Sequence, residues 1–135
     1  MFGAPVSLGD IKLPVCAIAC ETDHIAPWTG SFNGIKQMGS ADKTFVLSQS
    51  GHIAGIINPP SKGKYGHYTS EDPVAGTPTE WQARATFNAG SWWPRWGAWL
   101  AARAGGKVAA RPLGDSQHPV LCAAPGTYVG STPAI

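Results

Sequence analysis

At 135 residues the chain has room for one domain with a core, and 43% hydrophobic residues argue against disorder throughout. Ten basic residues against eight acidic ones leave a net charge of +2, too small and too scattered for a nucleic-acid footprint. Charged residues are only 13%, against roughly 25% in ordinary soluble domains, so part of the surface is expected to face more chain, another subunit or a hydrophobic product.

The first element is an apolar run, Leu13 to Cys20, which predicts a strand of a parallel sheet buried on both faces. A polar turn, Glu21-Thr22-Asp23-His24, follows it. A short helix is predicted from Thr29 to Met38, weakened by Gly30 and Gly34. Lys43 to Ser48 is β-branched and aromatic-rich and predicts a second strand, ending at the turn Ser50-Gly51-His52. From Ile57 to Thr77 the prolines and glycines predict a long irregular connection of the functional or covering kind. Thr77-Pro78-Thr79-Glu80 has the form of a capping box with proline at the first helical position, which predicts a helix to about Asn88. Another helix is predicted from Ser91-Trp92-Trp93-Pro94 to Gly105-Gly106, with Trp96, Trp99 and Leu100 on one apolar face. The tail from Lys107 is rich in Ala, Pro and Gly and is expected to be coil. The order strand, helix, strand, loop, helix defines an α/β layer architecture that looks incomplete, because two parallel strands cannot cover both their faces alone.

No apolar run approaches the roughly 20 residues that cross a bilayer. The segment MFGAPVSLGDIK has no basic n-region and no long apolar h-region, so neither a membrane span nor a secretory signal is expected. Three cysteines give no disulfide framework and suit reduced thiols in a cytoplasmic setting.

Asp23 lies just past the end of the first strand and His52 just past the end of the second. Sites in open α/β sheets form at these carboxyl ends. An imidazole that takes a proton from a nucleophile needs a carboxylate to hold its tautomer and to stabilise the imidazolium. The order Asp then His matches the last two members of an α/β-hydrolase triad. Gly51 is expected to let the backbone turn tightly before His52.

Asp23 to Trp28 and Ser50 to Pro60 resemble the two C-terminal signature segments of polyhydroxyalkanoate synthases. Gly90-Ser91-Trp92-Trp93-Pro94 and Ala124 to Val129 are similar to later landmarks of that family, so the resemblance runs from about Gly9 to Val129. The Ala-Gly-Ile-Ile after His52 resembles the class I, short-chain type that polymerises 3-hydroxybutyryl units. The resemblance implies a C-terminal fragment of an α/β-hydrolase fold: two parallel strands with flanking helices, the remaining sheet absent. It implies catalytic-domain sequence over residues 1–106 and a tail over 107–135. The implied substrate is a 3-hydroxyacyl-CoA and the product a polyester, built through a thioester on a cysteine. His52 is then the base that generates the thiolate, and Asp23 orients His52 or helps activate the substrate 3-hydroxyl. His24 and Trp28 are site-adjacent candidates by the same token. A homodimer of the complete protein at a polyester granule surface is implied as well.

The family's nucleophile sits on a G-x-[SC]-x-G elbow before the Asp, and no such motif occurs here. The nucleophile is therefore expected in an upstream part, and this chain alone is expected to be inactive. Cys16 and Cys20 fit small buried hydrophobes, lying too far apart along a strand to chelate one ion. Cys122 has no obvious partner, and His67 and His118 are expected in loops. Without H-E-x-x-H or paired C-x-x-C motifs, neither metal nor cofactor is expected. The Asp-His pair by itself leaves two other classes open: a hydrolase such as an esterase, thioesterase or depolymerase, and a non-catalytic module that binds a partner or a granule.

Overall fold

The structure is a computed structural model that describes Gly3 and residues 5–131; the outermost residues of the expected 1–106 and 107–135 segments lie outside the described residues. The chain divides into two compact units, Met1–Ala104 and Gly105–Ile135.

The first unit is α/β, with a four-stranded mixed sheet in the order β1-β2-β3-β4. Strand β1 (Val15–Cys20) and β2 (Lys43–Ser48) pair in parallel from Val15 opposite Lys43 to Cys20 opposite Ser48. Helix α1 (Trp28–Gln37) crosses between them. Parallel neighbours require such a crossover, and the apolar runs at both ends supply the strands.

Two further strands correct the expectation of a two-stranded fragment. Strand β3 (His67–Thr69) pairs antiparallel with β2 inside the stretch expected to be irregular. Strand β4 (Thr86–Asn88) pairs with β3 where helix was expected, because helix α2 (Pro78–Arg84) stops at Ala85 in extended backbone. Each has only three residues. That is too short for a visible period, and their ladders come from neighbouring backbone rather than from local pattern. A second correction concerns β1. It is an edge strand, half-buried from Val15 to Ile18, rather than a strand covered on both faces.

The core lies on one face of the sheet, where Ala19, Phe45 and Leu47 meet Phe32 and Ile35 of α1, Trp81 of α2 and Val74 of the loop before it. The capping box at the start of α2 forms as its sequence predicts: Thr77 Oγ1 accepts from Glu80 N–H at 3.2 Å, and Glu80 Oε2 accepts from Thr77 N–H at 2.8 Å. Helix α3 (Trp93–Ala101) leaves Trp96 and Leu100 about 40% and 39% exposed. Its apolar stripe is thus only partly covered. The second unit is exposed almost throughout, with one 3-10 turn at Tyr128–Gly130 and a tight turn in which Asp115 Oδ1 accepts from the Gln117 and His118 N–H groups.

Candidate active site

Two parallel strands in register bring their C-terminal ends side by side, and the residues just beyond them meet. His52 Nδ1 lies 2.8 Å from Asp23 Oδ2, across 29 residues of sequence. The acceptor is a carboxylate oxygen, so Nδ1 is the donor and carries the proton. Asp23 Oδ1 accepts from the N–H groups of Ile25 and Ala26, both at 2.9 Å, an arrangement that closes the turn after β1. The carboxylate is thereby aimed from below. Its side chain is 7% exposed, while that of His52 is 48% exposed.

The backbone N–H of Ala26 foremost, with the bonds from His52 and Ile25, holds the Asp23 carboxyl below its ordinary 3.8 against an opposing effect of burial. A depressed carboxyl contributes stability that is present above the unfolded-state value and is lost as pH falls through the folded one. Carbon NMR of Asp23 should therefore show a titration midpoint below 3.8, with the His52 bond lost only as pH falls through it. A midpoint at or above 3.8 would mean that the turn does not hold the anion.

The sharp turn before His52 is made by Ser50, whose φ of 75° is left-handed, and not by Gly51. A Cβ on Gly51 would meet nothing closer than 3.6 Å. The glycine that packing demands is Gly55, where a Cβ would stand 2.5 Å from Cys20 Sγ and 2.9 Å from the Gln49 carbonyl. The loop after His52 thus lies directly against the second face of the sheet, and sequence patterning does not reveal this.

Of the other candidates, His24 is exposed beside Asp23. Trp28 packs into the core, its ring 6.3 to 6.5 Å from those of Phe45, Phe32 and Trp81. His67 is not in a loop: it is 6% exposed on β3, with Nδ1 donating to the Gly90 carbonyl at 3.0 Å. His118 lies in the tail turn beside Asp115, at 3.2 Å. Burial pushes the Cys16 and Cys20 thiols up, with the Asp23 charge adding to the effect at Cys20, so neither favours the reactive thiolate. Among the described residues no three His, Cys, Asp or Glu side chains are grouped to hold a metal ion, and no helix is long and apolar enough to cross a membrane.

A cavity of about 250 Å³ adjoins the segment after His52, lined by Ile53, Ala54, Ile57, Asn58, Lys62, Lys64 and Tyr65. Larger ones of about 450 and 400 Å³ open elsewhere, around Ser40–Thr44 and Arg95 and between Cys16 and Trp99. The first of these lies at the opposite end of β2 from His52. Size alone therefore does not locate the Asp-His pair.

An acid-histidine couple thus lies at the carboxyl ends of adjacent parallel strands of an α/β sheet, where sites form in open folds of this class. No family model matches it. It is 43% identical over 128 residues to the poly(3-hydroxyalkanoate) polymerase subunit PhaC of Cupriavidus necator, covering 94% of this chain and 21% of that protein. It is likewise 43% identical over 127 residues to PhaC of Rhizobium meliloti, and 40% identical over 128 residues to poly(3-hydroxyalkanoate) polymerase 2 of Ectopseudomonas oleovorans. The chain is thus a relative of the poly(3-hydroxyalkanoate) polymerases, aligned with their C-terminal part, and it spans about a fifth of their length.

Proposed function

We propose that this chain supplies the Asp and His of a Cys-His-Asp triad in an acyltransferase that moves 3-hydroxyacyl groups from coenzyme A to a growing polyester. The observation that carries this is the 2.8 Å bond between His52 and Asp23, within a segment 43% identical to a polymerase. With Nδ1–H engaged by Asp23, His52 Nε2 is left as the base. It takes the proton of a cysteine thiol, and the thiolate attacks the thioester carbonyl of the acyl-CoA. Coenzyme A leaves as its thiolate and takes the proton from His52 Nε2. The acyl group then passes to a hydroxyl of the growing chain, whose proton His52 accepts in turn, while the cysteine leaves as its thiolate and regains that proton from His52 Nε2. Asp23 holds the ring and stabilises the imidazolium, or assists that hydroxyl.

The cysteine belongs to an upstream part of the same hydrolase-type sheet, beyond the free edge of β1. Two facts support this: no elbow motif occurs in the chain, and the thiols of β1 are disfavoured as thiolates. Residues 1–106 then complete a catalytic domain and residues 107–135 form its tail. The complete protein is proposed to be a homodimer, located in the cytoplasm at the polyester granule.

A chimera tests this directly, with the chain replacing the aligned C-terminal fifth of the Cupriavidus necator polymerase. Release of coenzyme A from 3-hydroxybutyryl-CoA is expected from the chimera and not from the chain alone. A folded chimera without release, or release by the isolated chain, would overturn the assignment.

A further inference from the structure

The turn that carries His52 is built from residues 51 to 57, with Gly55 N–H donating to the Gly51 carbonyl at 2.9 Å and Ile57 N–H to the Ile53 carbonyl at 2.8 Å. One helical turn leaves its last carbonyls without partners of their own. Two of them are met from 37 residues away in sequence. Trp92 Nε1–H donates to the Gly55 carbonyl at 2.9 Å, and Trp93 Nε1–H donates to the Ile56 carbonyl at 3.0 Å.

The donors are themselves held. Trp92 is 7% exposed, and its ring stands edge-on to those of Trp93 and Trp96 at 6.3 and 6.0 Å. Ser91 Oγ accepts from the Trp93 N–H at 3.1 Å, tying down the start of α3. His52 is held far less by packing, since its side chain is 48% exposed and its hydrogen bond goes to Asp23. Its ring is therefore placed by the backbone beneath it.

The geometry points to Trp92 and Trp93 as positioning residues for His52, their paired indole N–H groups fixing the turn from which its imidazole reaches Asp23. An indole N–H is a donor only, so neither tryptophan takes part in proton transfer. The role rests on the acyl-transfer reading of Asp23 and His52 for its effect on turnover, but not for its effect on the ring. The two contributions are unequal. The Gly55 carbonyl keeps a second donor, Ser48 Oγ at 2.8 Å, whereas among the described hydrogen bonds the Ile56 carbonyl depends on Trp93.

The test is Trp93→Phe, which keeps an aromatic ring and removes the N–H, with Trp99→Phe as the matched control, since the Trp99 indole N–H has no partner among the described residues. Ring nitrogen NMR of His52 in the 135-residue chain at mildly alkaline pH reports which nitrogen carries the proton. Wild type and Trp99→Phe are expected to hold the Nδ1–H form, and Trp93→Phe to shift toward Nε2–H as the bond to Asp23 loosens. In the chimera the same variant should lower kcat about tenfold with KM unchanged, and Trp92→Phe less. An unchanged tautomer in folded Trp93→Phe overturns the positioning role. If His52→Ala left turnover intact, the acyl-transfer reading would fall while the tautomer result still decided the positioning role.

Discussion

His52→Ala in the chimera should lower coenzyme A release by about a thousandfold or more, because members of a triad act as a unit. The substitution removes a side chain that is 48% exposed and lies outside the hydrophobic core cluster, so fold and activity can be separated by measuring the unfolding midpoint alongside turnover. Asp23→Asn should be comparable or somewhat milder. An amide oxygen can still accept from the Ile25 and Ala26 N–H groups and preserve the turn. Its NH2 would then face His52 Nδ1, where a donor now meets a donor. The ring would have to present its Nδ1 lone pair and move its proton to Nε2, the atom that must be free to act as base. Full turnover in either variant would remove both residues from the catalytic assignment.

Trp81→Ala is expected to be the most destabilising single change in the core, costing about 3–5 kcal/mol. Trp81 is 1% exposed, and its ring stands 5.0 Å from Phe45 and 5.7 Å from Phe32, the first pair nearly perpendicular. Truncation removes those contacts and opens a void between the sheet, α1 and α2 that the rigid strands cannot close. Domains of this size are stable by only about 5–15 kcal/mol, so a denaturant titration should show a large fall in midpoint or no folded baseline at all. Trp81→Phe, which refills much of the space, should retain a measurable transition. A loss below about 1 kcal/mol for Trp81→Ala would show that the aromatic cluster is not the centre of the core. The consequence reaches the site, because α2 also carries Gln82, whose Nε2 donates to Glu21 Oε1 at 2.9 Å at the end of β1.

Local chemistry accounts for the parts of this protein that the sequence reveals. The strand over Lys43–Ser48 and the capping box at Thr77 and Glu80 depend on runs and spacings within a few residues. Asp23 and His52 stand out for the same reason, each ending an apolar run at a polar turn. Their meeting follows once two such strands are parallel and in register.

What the sequence left open depends on groups distant in the chain. Strands β3 and β4 are three residues long and exist because β2 offers an open edge of backbone donors and acceptors. Gly55 is required by a sulfur atom 35 positions earlier, at Cys20, and the left-handed turn falls at Ser50 rather than at the glycine beside it. Trp92 and Trp93 look like ordinary helix-packing residues in the sequence, yet their N–H groups end on the carbonyls behind His52. The sequence by itself determined which residues end the parallel strands and could serve as acid and base, because runs of apolar residues and their polar stops are local. Only the tertiary structure decided how the histidine is held, because a buried carbonyl takes its donor from whatever the fold brings within 3 Å.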